Sequence, residues 1–351
     1  MEYSQKNWEF CRNTGYGRSL DMAVSGIYGY ERVDSSTIEK INDAFMISMK
    51  KGGHYKRVIK DLSKIKISFL DCGAMTDADS EYFVCVNNFD SLVYPKYGTD
   101  IENLEKSTGT SISSFENYLE ACEIRIGQFK TQSNVLKCGL AYLRSLDFER
   151  ATRDEAEKGF NNLFESNYYI DRSEQVCHTS KSFQDYVFRY ILELAQKHNM
   201  VVQVHTGLLE GNGNILVHSN PSCLNKLFFE YPNLRFDIFH IGYPFYSELG
   251  ALCKMFPNVF IDMCWAHIVS PIACKRALSE WLEFLPYNKI IGFGGDYRFP
   301  DGVYSHQKMA RQCICKVLSE KVSDGIITFN NATEISRALL FDNAAALLLE
   351  K

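Results

Sequence analysis

The sequence predicts an α/β chain of the (β/α)8 TIM-barrel type, one strand short and preceded by a helical segment. Three observations predict it. The chain has 351 residues with 46% hydrophobic content, which suits one large core. From residue 65 onward, short runs rich in β-branched and aromatic residues alternate with helical periodicity, the pattern of βα units around a parallel sheet. No internal repeat, low-complexity tract or Pro/Gly-rich linker marks a further domain.

Residues 1–64 read as helices. Ser19 to Tyr28, Ser36 to Met49 and His54 to Leu62 space their apolar residues by three and four, as a cap or a remnant of the first βα units. Residues 65–351 form the expected barrel domain. Its seven strand runs are Ile65 to Leu70, Tyr82 to Val86, Asn134 to Leu140, Met200 to His205, Arg235 to His240, Asn258 to Met263 and Lys289 to Phe293. Helical segments lie at Ser111 to Phe129, Lys181 to Lys197, Pro221 to Phe229, Pro244 to Met255, Ile272 to Leu285, Gln307 to Ser319 and Thr333 to Leu349.

Lys and Arg number 38 against 43 Asp and Glu, for a net charge of −5, and no single-sign run would track a phosphate backbone, which argues against nucleic acid as a partner. No apolar run reaches the ~20 residues of a membrane span. Twelve cysteines follow no secretory signal, and Cys72, Cys85, Cys138 and Cys264 sit in apolar stretches, so reduced thiols in a cytoplasmic protein are expected. Cys313 and Cys315, two apart in a helix, point to different faces and make a poor zinc pair.

In such a barrel the catalytic residues come from the C-terminal ends of strands. His205 ends the fourth run, His240 the fifth and Asp296 the seventh, while Lys137 interrupts the otherwise apolar third. Two imidazoles and a carboxylate at one barrel mouth form a set that zinc, manganese or iron accepts. Each histidine alone would read as a hydrogen-bonded core residue; together, each followed by a glycine-containing loop, they read as ligands. Lys137 is either outward and snorkelling or inward and functional, since a buried lysine is costly unless paired or modified. Asp296 follows two glycines and could hold a metal-activated water and shuttle its proton, or merely cap a turn.

Beyond these residues, the stretches VLKCGLAYLR (135–144), VHTG (204–207), HIGYP (240–244), FPNVFIDMCW (256–265) and GFGGDYRF (292–299), with NTGYGR (13–18), Gly213, Asn214, Asn220 and Pro221, resemble the amidohydrolase superfamily. The resemblance is to its amidohydrolase-related branch of TIM-barrel metal-dependent hydrolases, close to the uronate isomerases. It implies that the seven strands are two to eight, with strand one missing. It further implies that His205 and His240 belong to strands five and six, that Asp296 is the strand-eight ligand and proton shuttle, and that Lys137 stands where some members carry a carboxylated lysine bridging two metals. The implied cofactor is a divalent metal, zinc before manganese or iron, as one or two ions.

The family's strand one ends in HisXHis. The eight histidines here are His54, His178, His198, His205, His218, His240, His267 and His306, and no two are separated by a single residue. A fragment of a longer product is therefore expected over a barrel that lost a strand, because an open edge would be exposed. Around the mouth lie Tyr142, Arg144, Tyr243, Trp265, His267, Tyr297, Arg298, His306 and Arg311, of which His267, Arg311, Tyr243 and Arg298 are the candidates for a carboxylate-bearing small substrate. The expected activity is hydrolysis of an amide, ester or lactone-like bond by metal-activated water. The alternatives are uronate isomerase-like aldose/ketose isomerisation and an inactive barrel lacking the HisXHis ligands, with self-association left open.

Overall fold

A computed structural model describes residues 2–71, 78–163, 176–211 and 213–349; Cys72 lies outside them. Seven strands form a sheet in chain order: β1 (Ser68–Asp71), β2 (Phe83–Asn88), β3 (Val135–Cys138), β4 (Val201–Val204), β5 (Arg235–Ile238), β6 (Val259–Asp262) and β7 (Ile290–Ile291). The pairings are parallel, with Val135 opposite Val201, Val201 opposite Arg235 and Ile261 opposite Ile290. This is the α/β fold of TIM-barrel type that the alternating runs predict, with seven strands. No helix among the described residues is long and apolar enough to cross a membrane.

The chain divides into two compact units, Phe69–Phe260 with Ala346–Lys351, and Met1–Ser68 with Ile261–Ala345. In the first, β4 is buried along its whole length, as befits a parallel strand covered on both faces. Helices Phe115–Gln132 and Lys181–Lys197 start on Ser114 and Ser180, whose hydroxyls accept from the backbone N–H three residues on, the standard side-chain cap. Their apolar faces meet in a cluster of Phe115, Tyr118, Phe160 and Phe183, with Phe115 and Phe183 centred 6.1 Å apart.

The second unit joins the N-terminal helices Gly15–Tyr28 and Ile38–Lys51 to helix Pro300–Ser323. Gly15 packs so closely on a later helical turn that a Cβ there would sit 1.8 Å from the Ile268 carbonyl oxygen. Buried polar contacts complete the join: His54 Nε2 lies 2.8 Å from Asp301 Oδ2, the Tyr28 hydroxyl donates to Asp301 Oδ1 at 2.5 Å, Ser48 Oγ meets His54 Nδ1 at 2.9 Å and Ser19 meets Ser305 at 2.7 Å.

Several elements differ from the periodicity. The helix expected from Gln307 begins at Pro300, a residue suited to a first helical turn. Gly98–Thr108 and Arg153–Asn161 are helices that the apolar spacing does not reveal; the latter is fixed by a capping box of Thr152 and Glu155. The C-terminal helix begins at Phe329 and carries wide turns at Ala338–Asp342 and Ala345–Leu349. Among the described residues every cysteine is free. Cys313 is buried and Cys315 exposed, on different faces as their spacing requires.

Candidate metal centre

His205 and His240 leave the ends of β4 and β5 and meet. His205 Nδ1 lies 2.9 Å from His240 Nε2, and His205 Nε2 lies 3.1 Å from the Leu208 carbonyl oxygen. A carbonyl only accepts, so neutral His205 carries its proton on Nε2, and its Nδ1 accepts from His240 Nε2–H. Both rings are buried, at 4% and 2% exposure. Burial holds His205 well below the usual histidine range, and the neighbouring His240 and Lys137 lower it further, so it is neutral at pH 7 and has a lone pair to give.

The local backbone enforces this meeting. His240, Ile241 and Gly242 all have positive φ, a left-handed run that turns the chain sharply after β5. Gly207, also at positive φ, approaches that turn so closely that a Cβ would lie 2.4 Å from the Tyr243 carbonyl oxygen, where only glycine fits. Leu208 N–H donates to that same carbonyl at 2.7 Å. Tyr142 faces the pair, its ring centred 4.7 Å from His205.

Across the same sheet, Asn88, Lys137, Gln203 and Asp237 fall in register on β2 to β5. Registered neighbours on parallel strands share a face, so the four make a polar row. Asp237 is fully buried and is pushed up to about 7 by that burial, against the opposing pull of Gln203 and Lys137. Its Oδ2 accepts from Gln203 Nε2 at 3.0 Å, while Oδ1 is buried without a hydrogen-bond partner. Asp90, pushed up to about 6 by burial, accepts the Gly139 N–H at 2.9 and 3.0 Å on its two oxygens. The Lys137 ammonium sits 3.4 Å from the Phe239 ring centre, a cation–π placement.

Asp296 stands in the other unit, exposed and at positive φ after Gly294 and Gly295. Its supporting loop is held through successive carbonyls: Met263 N–H donates to Ile291 O, Trp265 N–H to Gly294 O, His267 Nε2 to Gly292 O at 2.9 Å and His306 Nδ1 to Gly295 O at 3.0 Å. Both of these histidines are 0% exposed. Burial pushes His267 down to about 4 and His306 down to about 3, so both are neutral.

The substrate candidates differ in exposure. His267 is sealed from solvent, with its Nε2 on Gly292 O. Arg311 is exposed and its Nη2 reaches Ser63 O at 3.5 Å; Arg298 is exposed and Tyr243 half-buried. Arg144 is committed to a buried ion pair with Asp185 at 2.7 Å. A cleft of about 370 Å³ lined by Arg150, Tyr186, Arg189, Tyr190, Glu193 and Tyr231 contains none of the predicted site residues. Asp237 and Asp90 were not legible as site residues, although Asp237 is a lone carboxylate inside an apolar strand run, the same signal that marks Lys137.

Two buried neutral imidazoles whose nitrogens approach one another are donors of the type a divalent transition metal accepts. The donor chemistry therefore fits a divalent transition metal.

The amidohydrolase family model Amidohydro_2 matches residues 159–349. Protein fluG of Emericella nidulans is 30% identical over 173 residues, 48% of this chain and 20% of that protein. Uronate isomerase of Nostoc punctiforme is 23% identical over 275 residues, 72% of this chain and 56% of that protein. The chain thus spans a fifth of one of these relatives and just over half of the other. A Lactobacillus casei ATCC 334 structure, of a protein assigned as a metal-dependent hydrolase, shares the fold with a TM-score of 0.72 at 17% identity, covering 97% of this chain and 85% of that one.

Proposed function

The chain belongs to the amidohydrolase family, and from that premise we propose that it is a metal-dependent hydrolase of a small polar substrate with an amide, ester or lactone-like bond. The observation that carries the reading is the paired approach of His205 Nδ1 and His240 Nε2. In this reading His205 and His240 hold a divalent ion, zinc first, and Asp296 is the carboxylate that the sequence resemblance assigns to the same ion. The ion would supply a Lewis acid that makes water acidic near neutral pH.

The rest falls to side chains. Asp296, exposed after its two glycines, takes the proton of the attacking water and returns it to the leaving group. Lys137, over the Phe239 face, is placed to contribute positive charge beside the polar row. Tyr243 and Arg298 are the proposed contacts for a substrate carboxylate. The free cysteines suit a cytoplasmic setting.

A second reading, isomerisation of a uronate, is favoured by the similarity to uronate isomerase over 72% of the chain. Metal analysis of the purified protein beside His240→Ala tests the shared premise, with one or more equivalents of metal expected in the parent and a loss in the variant. Assay of amides, esters and lactones beside glucuronate and galacturonate then separates hydrolase from isomerase. No metal retained after reconstitution would sink both.

A further inference from the structure

His267 and His306 are conspicuous because each spends one nitrogen and leaves the other idle. His267 Nδ1 and His306 Nε2 are buried with no hydrogen-bond partner. An unsatisfied buried polar atom costs roughly 1–3 kcal/mol, and native structures keep few of them. The nitrogens that are used both bond to the loop carrying Asp296, His267 to Gly292 O and His306 to Gly295 O. The rings sit at 5.9 Å between centres, and His306 is also packed by Phe293 and Tyr297, the residues flanking the two glycines and Asp296.

The loop needs such anchors. Gly292, Gly294 and Gly295 give it wide backbone freedom, and Asp296 itself adopts a left-handed φ of 54°. The strand beneath it is only Ile290–Ile291, so ladder hydrogen bonds end before the glycines begin. From there the two imidazole donors alternate with backbone donors. A neutral imidazole places one N–H rigidly at a chosen ring position.

We infer that His267 and His306 are positioning residues that set the Asp296 carboxylate through their N–H bonds to Gly292 O and Gly295 O. The inference rests on the reading of Asp296 as a metal ligand. Residues one step removed from a metal ordinarily change its affinity by roughly 10–100-fold.

Zinc titration calorimetry on the full chain, with metal-free thermal unfolding alongside, tests it. A glutamine amide nitrogen reproduces the place of imidazole Nε2, and an asparagine amide nitrogen that of Nδ1. His267→Gln and His306→Asn are therefore expected to bind zinc within about 3-fold of the parent, while His267→Asn, His306→Gln and the leucine variants lose at least about 10-fold. If the leucine variants do not fold, the asparagine–glutamine contrast at each position still decides. Equal affinities for the two amides at both positions would overturn the inference, as would parent-like binding by all the variants. An Asp296→Asn variant separates the two levels: unchanged zinc affinity there refutes the ligand reading itself, whereas weakened binding there with parent-like histidine variants refutes only the positioning.

Discussion

His205 Nδ1 and His240 Nε2 stand 2.9 Å apart with one proton between them, and because Leu208 O claims the other His205 nitrogen, that proton belongs to His240. A metal held by both nitrogens requires His240 to surrender it.

The expected outcome is a tautomer change. Zinc binding should move the His240 proton from Nε2 to Nδ1 while His205 keeps its Nε2–H, observable in the ¹⁵N resonances of the two rings. Alanine at either position should cost more than the roughly 10–100-fold typical of outer residues. A protonated His240 Nε2 in the zinc-loaded protein would remove it from the ligand set.

Acid–base stability should contain two opposing slopes. His306, pushed down to about 3, and His267, down to about 4, remain neutral folded while their unfolded counterparts take up protons below about 6.5; this stability is present at neutral pH and lost as pH falls. Asp237, pushed up to about 7, and Asp90, up to about 6, hold protons folded that the unfolded chain releases above about 4; this stability is lost as pH rises. Each group contributes up to about 1.4 kcal/mol per pH unit within its window. Between roughly pH 4 and 6.5 the terms offset. Urea unfolding should therefore show Asp237→Asn losing the falling slope and gaining stability at pH 7, and His306→Asn losing the rising one. Parallel profiles for the two variants would contradict the assignment.

Removing the Lys137 charge should be felt by three groups at once. Lys137 lowers Asp90 and Asp237 and also depresses His205. In Lys137→Met the two carboxyl titrations should move upward and the His205 titration should rise, whereas Lys137→Arg should leave them nearly in place. Incubation with ¹³C-bicarbonate should give no carbamate resonance, because the ammonium is engaged by Phe239; a carbamate signal lost in Lys137→Met would reverse this view of the residue.

Asp301 should be the costliest single truncation in the N-terminal contacts. It accepts from Tyr28 and pairs with His54, both buried or half-buried, and burial and Asp301 together push the Tyr28 hydroxyl up. Asp301→Ala leaves two partners unsatisfied, at roughly 1–3 kcal/mol each, against roughly 1 kcal/mol for Ser48→Ala. Equal losses in thermal unfolding would show that the network does not centre on Asp301.

Strand tips were legible at two places because apolar runs that end in His are unusual: β4 ends at Val204, just before His205, and β5 at Ile238, two residues before His240, whereas β7 stops at Ile291, five residues short of Asp296. The polar row was not, because Asp237 gains its meaning only from standing beside Gln203, which depends on register rather than on spacing along the chain. Helix Pro300–Ser323 was read a full turn and more too late for a related reason: Asp301 and His306 are buried, yet as polar residues they broke the apolar period. The periodicity records hydrophobicity, and here burial is achieved by hydrogen bonds.

The clasp of His54 and Ser19 on Asp301 and Ser305 also bears on how the polypeptide can be divided. A cut after residue 64 would not release a detachable cap; it would strip partners from the helix that begins four residues beyond Asp296. Expressed as separate chains, residues 1–64 and the remainder should re-associate and restore one another, as complementing fragments do.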